Sequence, residues 1–241
     1  MILIFVFSFF QILSAQQNKP NISIGPGIIY SSSIYKSKKD RIIPIPFISL
    51  KYDKLSLNGI RASYNYLQTA KTNFFLSLSF KPSGFDPADG YYLKDMKKRR
   101  DNFFVSNSLK YDAKRFFYSF EFSYDLVSTE PCYILGAEIS KTKRLKKGLL
   151  TLSFKLEYEN DNLSNLNYGV FAYESKPWRA EYLPKAVILP SINLSLLSFK
   201  AQNQTIFLFS SLKYLPGKIT KSPIIDKKYN FILVLGYLFK L

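Results

Sequence analysis

Histidine is absent from the 241 residues, which removes the side chain most hydrolases use as general base. The mechanisms of His-dependent phospholipases, acyltransferases, deacylases and proteases are therefore closed to this chain. Two pairs of carboxylates remain whose spacing could support acid/base work, Glu157 with Glu159 and Glu121 with Asp125, each pair on one face of an extended strand. Lys155 shares the face of Glu157, so charge pairing within a polar interior is the plainer account of these acids. Cys132 is the single cysteine, which excludes an intrachain disulfide framework. We assign no catalytic residue, metal ligand or cofactor site, and expect a protein that is not an enzyme.

Charge offers a second kind of chemistry. The run "KDMKKRRD" gathers Lys97, Lys98, Arg99 and Arg100, which suit lipopolysaccharide phosphates through charge-assisted hydrogen bonds; a solvated basic loop is the alternative. The formal net charge of +17 would ordinarily point to nucleic acid. Here the cations are scattered among turns and strand ends, and anionic head groups are the better-placed partner. Trp178, the only tryptophan, reads as an interfacial anchor or as a packing residue of a long loop.

The elements that must carry these residues have a period of two. In "RFFYSFEFSYDL", Phe116, Tyr118, Phe120, Phe122 and Tyr124 alternate with Ser119, Glu121, Ser123 and Asp125. "LLTLSFKLEYE" sets Leu150, Leu152, Phe154 and Leu156 against Thr151, Ser153, Lys155 and Glu157. Such runs last about 10 to 12 residues, longer than the roughly 5 to 6 of a soluble sandwich strand and matched to a tilted membrane-spanning strand. Long and short connections alternate as well, as in an outer-membrane barrel with short periplasmic turns. The fold class is an all-β transmembrane antiparallel barrel of about 10–12 strands, with both termini periplasmic.

Eight strands are expected near residues 73–81, 102–112, 115–126, 131–142, 148–159, 185–197, 203–214 and 229–241. Upstream stand "NISIGPGIIY", "IIPIPFISLKY" and "LSLNGIRASYNYL". Three strands there would break the parity that brings both termini to one side. Either the last splits at Asn58-Gly59, for twelve in all, or one candidate folds inward, for ten. The apolar "MILIFVFSFFQILSA" is too short to span a bilayer and fits a secretory signal peptide removed after Ala15, although no Lys or Arg precedes it. Residues 16–241 then form one outer-membrane domain of a Gram-negative envelope.

Several short motifs resemble the MipA/OmpV family, named for the MltA-interacting protein. They are Gly25 and Gly27, Tyr35-Lys36, the pair Pro44 and Pro46, Tyr52 and Gly59, then Tyr168-Gly169-Val170 ahead of Glu174 and Ser175, and finally Ser222-Pro223, Asp226 and Lys227. Ser37, Lys38, Lys39 and Asp40 depart from the glycine and aspartate usual after Tyr-Lys, and Leu241 replaces the common terminal aromatic. The resemblance implies an outer-membrane barrel. In the family's namesake it implies a scaffold joining a murein-degrading lytic transglycosylase to a murein synthase.

Two functions are expected from different classes. One is a non-enzymatic scaffold whose periplasmic turns meet murein-remodelling enzymes. The other is a narrow channel for small solutes. The residues "SPIID" read as a loop-closing element, with Pro223 restraining the backbone and Asp226 accepting hydrogen bonds. In "NFILVLGYLFKL" the inward face holds Ile232, Val234 and Gly236, less polar than a wet lumen, which favours a packed interior over an open one.

Overall fold

Strand-length alternation leads to closure. The computed structural model describes residues 20–82, 84–201 and 203–241; the leader segment 1–15 lies outside the described residues. Twelve antiparallel strands form one closed barrel in which each pairs with its sequence neighbours and the first closes on the last. They are β1 Asn21–Ser31, β2 Arg41–Tyr52, β3 Leu55–Asn58, β4 Arg61–Gln68, β5 Thr72–Lys81 and β6 Asn102–Asp112. The second half comprises β7 Phe117–Asp125, β8 Tyr133–Leu145, β9 Gly148–Glu159, β10 Val187–Ala201, β11 Gln204–Tyr214 and β12 Tyr229–Lys240.

The parity problem resolves at Asn58-Gly59: β3 and β4 are a hairpin whose turn uses Gly59 at φ +56°, a left-handed conformation that glycine adopts without strain. The expected turn "KTKRLKKG" is shorter than the sequence suggested. Lys141–Leu145 continue β8, because Thr142 and Thr151 pair across the hairpin, and only Lys146 and Lys147 turn.

The register fixes which face is which. Outward rows carry Leu76, Leu78, Phe120, Phe122, Leu152 and Phe154, which stay between 44% and 55% exposed. A surface of that kind belongs in lipid rather than water, since apolar area costs roughly 25 cal/mol per Å² in water. Inward rows carry Ser77, Ser106, Ser108, Ser123, Ser153 and Ser191, all buried.

Connections at the two ends differ in kind. At the outer end run 32–40, 84–101, 126–132, 160–186 and 215–228; the first, second, fourth and fifth fold over the mouth. Residues Asp161–Tyr168 form helix α1 and Gly217–Thr220 form the single turn α2. At the periplasmic end are tight turns at 53–54, 69–71, 113–116 and 146–147, and β10 and β11 join at the same end. Lys51, Lys54, Lys71, Lys114, Arg115, Lys200 and Lys240 lie on or beside these turns.

The wall has one weak seam. Only Ser49–Tyr52 of β2 pair with β3, so the outer part of β2 has β1 on one side and no strand on the other. The Ile48 carbonyl accepts from the Gly59 amide at 2.9 Å, which sets the even-numbered backbone groups of β2 toward that free side. Pro44 and Pro46 stand at two of those positions and delete the N–H groups that would be left open, as edge strands require. Pro26 plays a matching part in β1, where the pairing with β12 skips Gly25 and Pro26.

Candidate functional site

The outer mouth is filled by a lid with a core of its own. Ile34, Tyr35, Phe85, Leu93, Met96, Tyr168, Val170, Leu215, Ile219, Ile224 and Ile225 pack together over Val187 and Leu189 of β10. The loops reach this arrangement through local signals. Asn160 caps α1 by accepting from the Leu163 amide at 3.4 Å, and its own amide donates to the Pro131 carbonyl at 2.7 Å. Asp86 and Asp89 form a capping box around the turn at Pro87.

Motif residues separated by more than a hundred positions meet here. Tyr35 donates its hydroxyl to the Asn167 carbonyl at 3.0 Å and sets its ring edge-on to Phe85 at 5.0 Å. The Lys36 amide donates to the Ile224 carbonyl at 2.9 Å, and the Asp226 amide to the Ile34 carbonyl at 2.8 Å. Ser222 donates its hydroxyl to the Tyr168 carbonyl at 2.6 Å. A Cβ on Gly169 would lie 2.4 Å from the Asn165 carbonyl oxygen, so close backbone approach explains that glycine. Lys227 pairs with Asp40 at 3.0 Å. Of the acceptor role expected for Asp226, the structure supplies a backbone donor instead, with the side chain exposed.

At the centre of the lid is an ion pair. Arg99 forks onto both oxygens of Glu174 at 2.7 and 2.9 Å and donates to the Gly169 carbonyl at 3.1 Å. Its guanidinium sits 4.9 Å from the Phe85 ring and 5.3 Å from that of Phe171. Glu174 also accepts from the Lys97 and Phe171 amides. Burial pushes its carboxyl up, but the Arg99 guanidinium and those amides outweigh burial and hold it below the ordinary range. Arg179 is buried too and ties the Glu174, Tyr92 and Lys94 carbonyls together. Asp40 is held down at about 2 by the Tyr30 hydroxyl, the Ser33 amide and Lys227.

This geometry splits the basic run. Arg99 is 2% exposed and committed to Glu174, so it is not part of a surface cluster; its apolar surroundings and a facing carboxylate drew it inward. Arg100 turns to the Val127 carbonyl and Ser128. Lys97 and Lys98 are exposed, the latter 3.1 Å from Asp86. Trp178 is 55% exposed on the loop 160–186.

Beneath the lid the lumen has two unlike halves. On the side of β3 to β9 lies a cavity of about 320 Å³, lined by hydroxyl and charged groups including Ser63, Ser77, Arg61, Glu121 and Lys155. Of the lumenal acids, Glu121 in the cavity wall is held by Arg61 at 2.6 Å, and Glu157, beside it, by Lys155 at 2.8 Å and by Lys213. Glu159 faces Lys81 at 3.6 Å, and Asp125 accepts from the Asn102 side chain at 2.8 Å. Of the carboxylates singled out in the sequence, Glu121, Glu157 and Glu159 are thus paired with cations, and Asp125 is held by neutral donors. On the side of β1, β2, β11 and β12, Phe47 and Phe207 meet edge to face at 4.5 Å. A Cβ on Gly27 would sit 2.4 Å from the Phe47 ring, and one on Gly236 2.3 Å from the Phe207 ring, so the glycines are cradles for the two rings. Sequence reasoning gave these phenylalanines no role; the signal was the loss of polar alternation on the inward faces of β2 and β12.

A twelve-stranded, lipid-faced barrel with short turns at one end and a packed lid at the other defines an outer-membrane β-barrel protein. The family model for the MltA-interacting protein MipA matches residues 24–241, and the chain belongs to that family. It is 25% identical over 228 residues to the outer membrane protein YiaT of Escherichia coli O157:H7 and of Escherichia coli strain K12, with 92% of each chain covered. Among solved structures a NanC porin is similar, with a TM-score of 0.51 at 9% identity, covering 92% of this chain and 100% of that one. At that identity the likeness is one of fold.

Proposed function

We propose that this barrel is a non-enzymatic structural component of the outer membrane, with its outer mouth shut and its periplasmic turns offered to murein-remodelling enzymes. The observation that supports it is the lid, in which the Arg99–Glu174 pair and Ile224 are buried where an open porin would hold water. The name of the matched family supports the choice of partner. Lipopolysaccharide is a second contact of this reading, through the exposed Lys97 and Lys98. Co-purification with a lytic transglycosylase, together with the absence of steady single-channel steps in planar bilayers, is the expected outcome. Steady conductance steps from the unmodified protein would overturn the closed reading.

A narrow channel is the second reading, favoured by the polar cavity of about 320 Å³. It requires the lid to move. Replacing Lys97 and Lys98 with Ser is expected to weaken lipopolysaccharide binding, measured by co-sedimentation; unchanged binding would remove that contact.

A further inference from the structure

Closure of the barrel gathers cations that the sequence scatters. The β8–β9 hairpin carries Lys141, Lys143, Arg144, Lys146 and Lys147 with no acid among them, and seven further Lys and Arg lie on the other periplasmic turns and strand ends. Against these twelve stand only Asp53 and Asp112, a net of +10 from side chains on one rim of a molecule whose formal charge is +17. All twelve are exposed. Among the described residues none is in an ion pair, whereas lid and lumen cations such as Lys38, Arg99, Lys213 and Lys227 are paired with carboxylates. Like charges so crowded repel within a Debye length of about 10 Å, and an external polyanion relieves the repulsion.

Two polyanions border this rim: the phospholipid head groups around the barrel and the cell-wall polymer below it, whose peptide stems carry carboxylates. The register separates them. Lys51, Arg144 and Lys240 stand on inward rows, in register with Ser56, Leu149 and Ser23, where Leu149 shares the face of Thr151 and Ser153, and head groups outside the wall do not reach that face. Moreover β8 continues for residues 141–145 past its last pairing with β7, Phe117 with Ser140, so the basic hairpin projects below its neighbour.

We propose that this rim is a docking surface for the carboxylate-bearing peptide stems of the cell wall. The idea deepens the structural reading and rests on its periplasmic orientation, but it needs no enzyme partner. The test is sedimentation of the purified full-length protein with enzyme-free sacculi. The expected result is binding at about 50 mM salt that is lost near 500 mM and lost when the sacculus carboxylates are amidated. The inward set Lys51→Gln, Arg144→Gln and Lys240→Gln is expected to weaken sacculus binding about tenfold while leaving association with phosphatidylglycerol vesicles unchanged. Heat-modifiable migration verifies that the variant is folded. Equal binding to amidated sacculi, no effect of the inward set, or an effect confined to the vesicles would each overturn the proposal. Because no transglycosylase is present, failure here leaves the co-purification result standing, and the reverse also holds.

Discussion

At the residue scale the lid depends on one buried charge pair. Replacing Arg99 with Met strands Glu174 without its partner, and removing one member of a buried pair costs about 3 to 5 kcal/mol. The expected consequence is proteolytic cleavage of the outer loops in intact cells and the appearance of channel steps, while the barrel still shows heat-modifiable migration. Acid acts through the same group. The Glu174 carboxyl is depressed below its ordinary 4.5, so its contribution is full above that value and is lost as pH falls through the lower folded value; the contribution of Asp40, held at about 2, is lost as pH falls toward that value. The lid is therefore expected to stay protease-resistant from neutral pH down to about 5 and to loosen only in stronger acid. Loosening at neutral pH would contradict this assignment. In the lumen, Gly236→Val places side-chain atoms where the Phe207 ring lies, since even a Cβ meets it at 2.3 Å. Overpacking costs roughly 1 to 3 kcal/mol, to be read as a lower temperature for the heat-induced band shift.

At the element scale the seam beside β2 carries the prediction. Pro44 and Pro46 keep N–H groups off a free strand edge, which is how edge strands avoid pairing with other chains. Replacing both with Val restores two donors and raises strand propensity. Heat-labile dimers on gels, captured by crosslinking in the membrane, are the expected result; a variant that stays monomeric would show that the loops above already protect the edge. The short β3–β4 hairpin is the cause of the seam. It was legible because Asn58-Gly59 is a turn signal inside an otherwise alternating run, but its consequence for β2 was not, since register between β2 and β3 is a tertiary property.

At the scale of the whole molecule, three layers stack along the barrel axis: a packed ionic lid, a half-polar and half-aromatic lumen, and a basic rim. Strand period, strand length and the alternation of long and short connections determined the barrel, the lipid-facing rows such as Phe120 and Phe122, and the side on which each loop lies. These are local quantities, because the pleat alone alternates side chains and the bilayer alone sets strand length. The greasy inner face of the last strand also pointed to the aromatic packing of Phe47 and Phe207 beside it, but not to the polar cavity across the lumen. What only the tertiary structure decided is which distant residues meet. Arg99 looked like one of four surface cations until Glu174 and two phenyl rings closed around it. Tyr35, Tyr168 and Ser222 looked like separate motifs until their loops shared one core. Twelve scattered cations became a rim because closing a sheet places every second connection at the same end. Long-range contact depends on how loops and strands close in space, and periodicity along the chain carries no record of that closure.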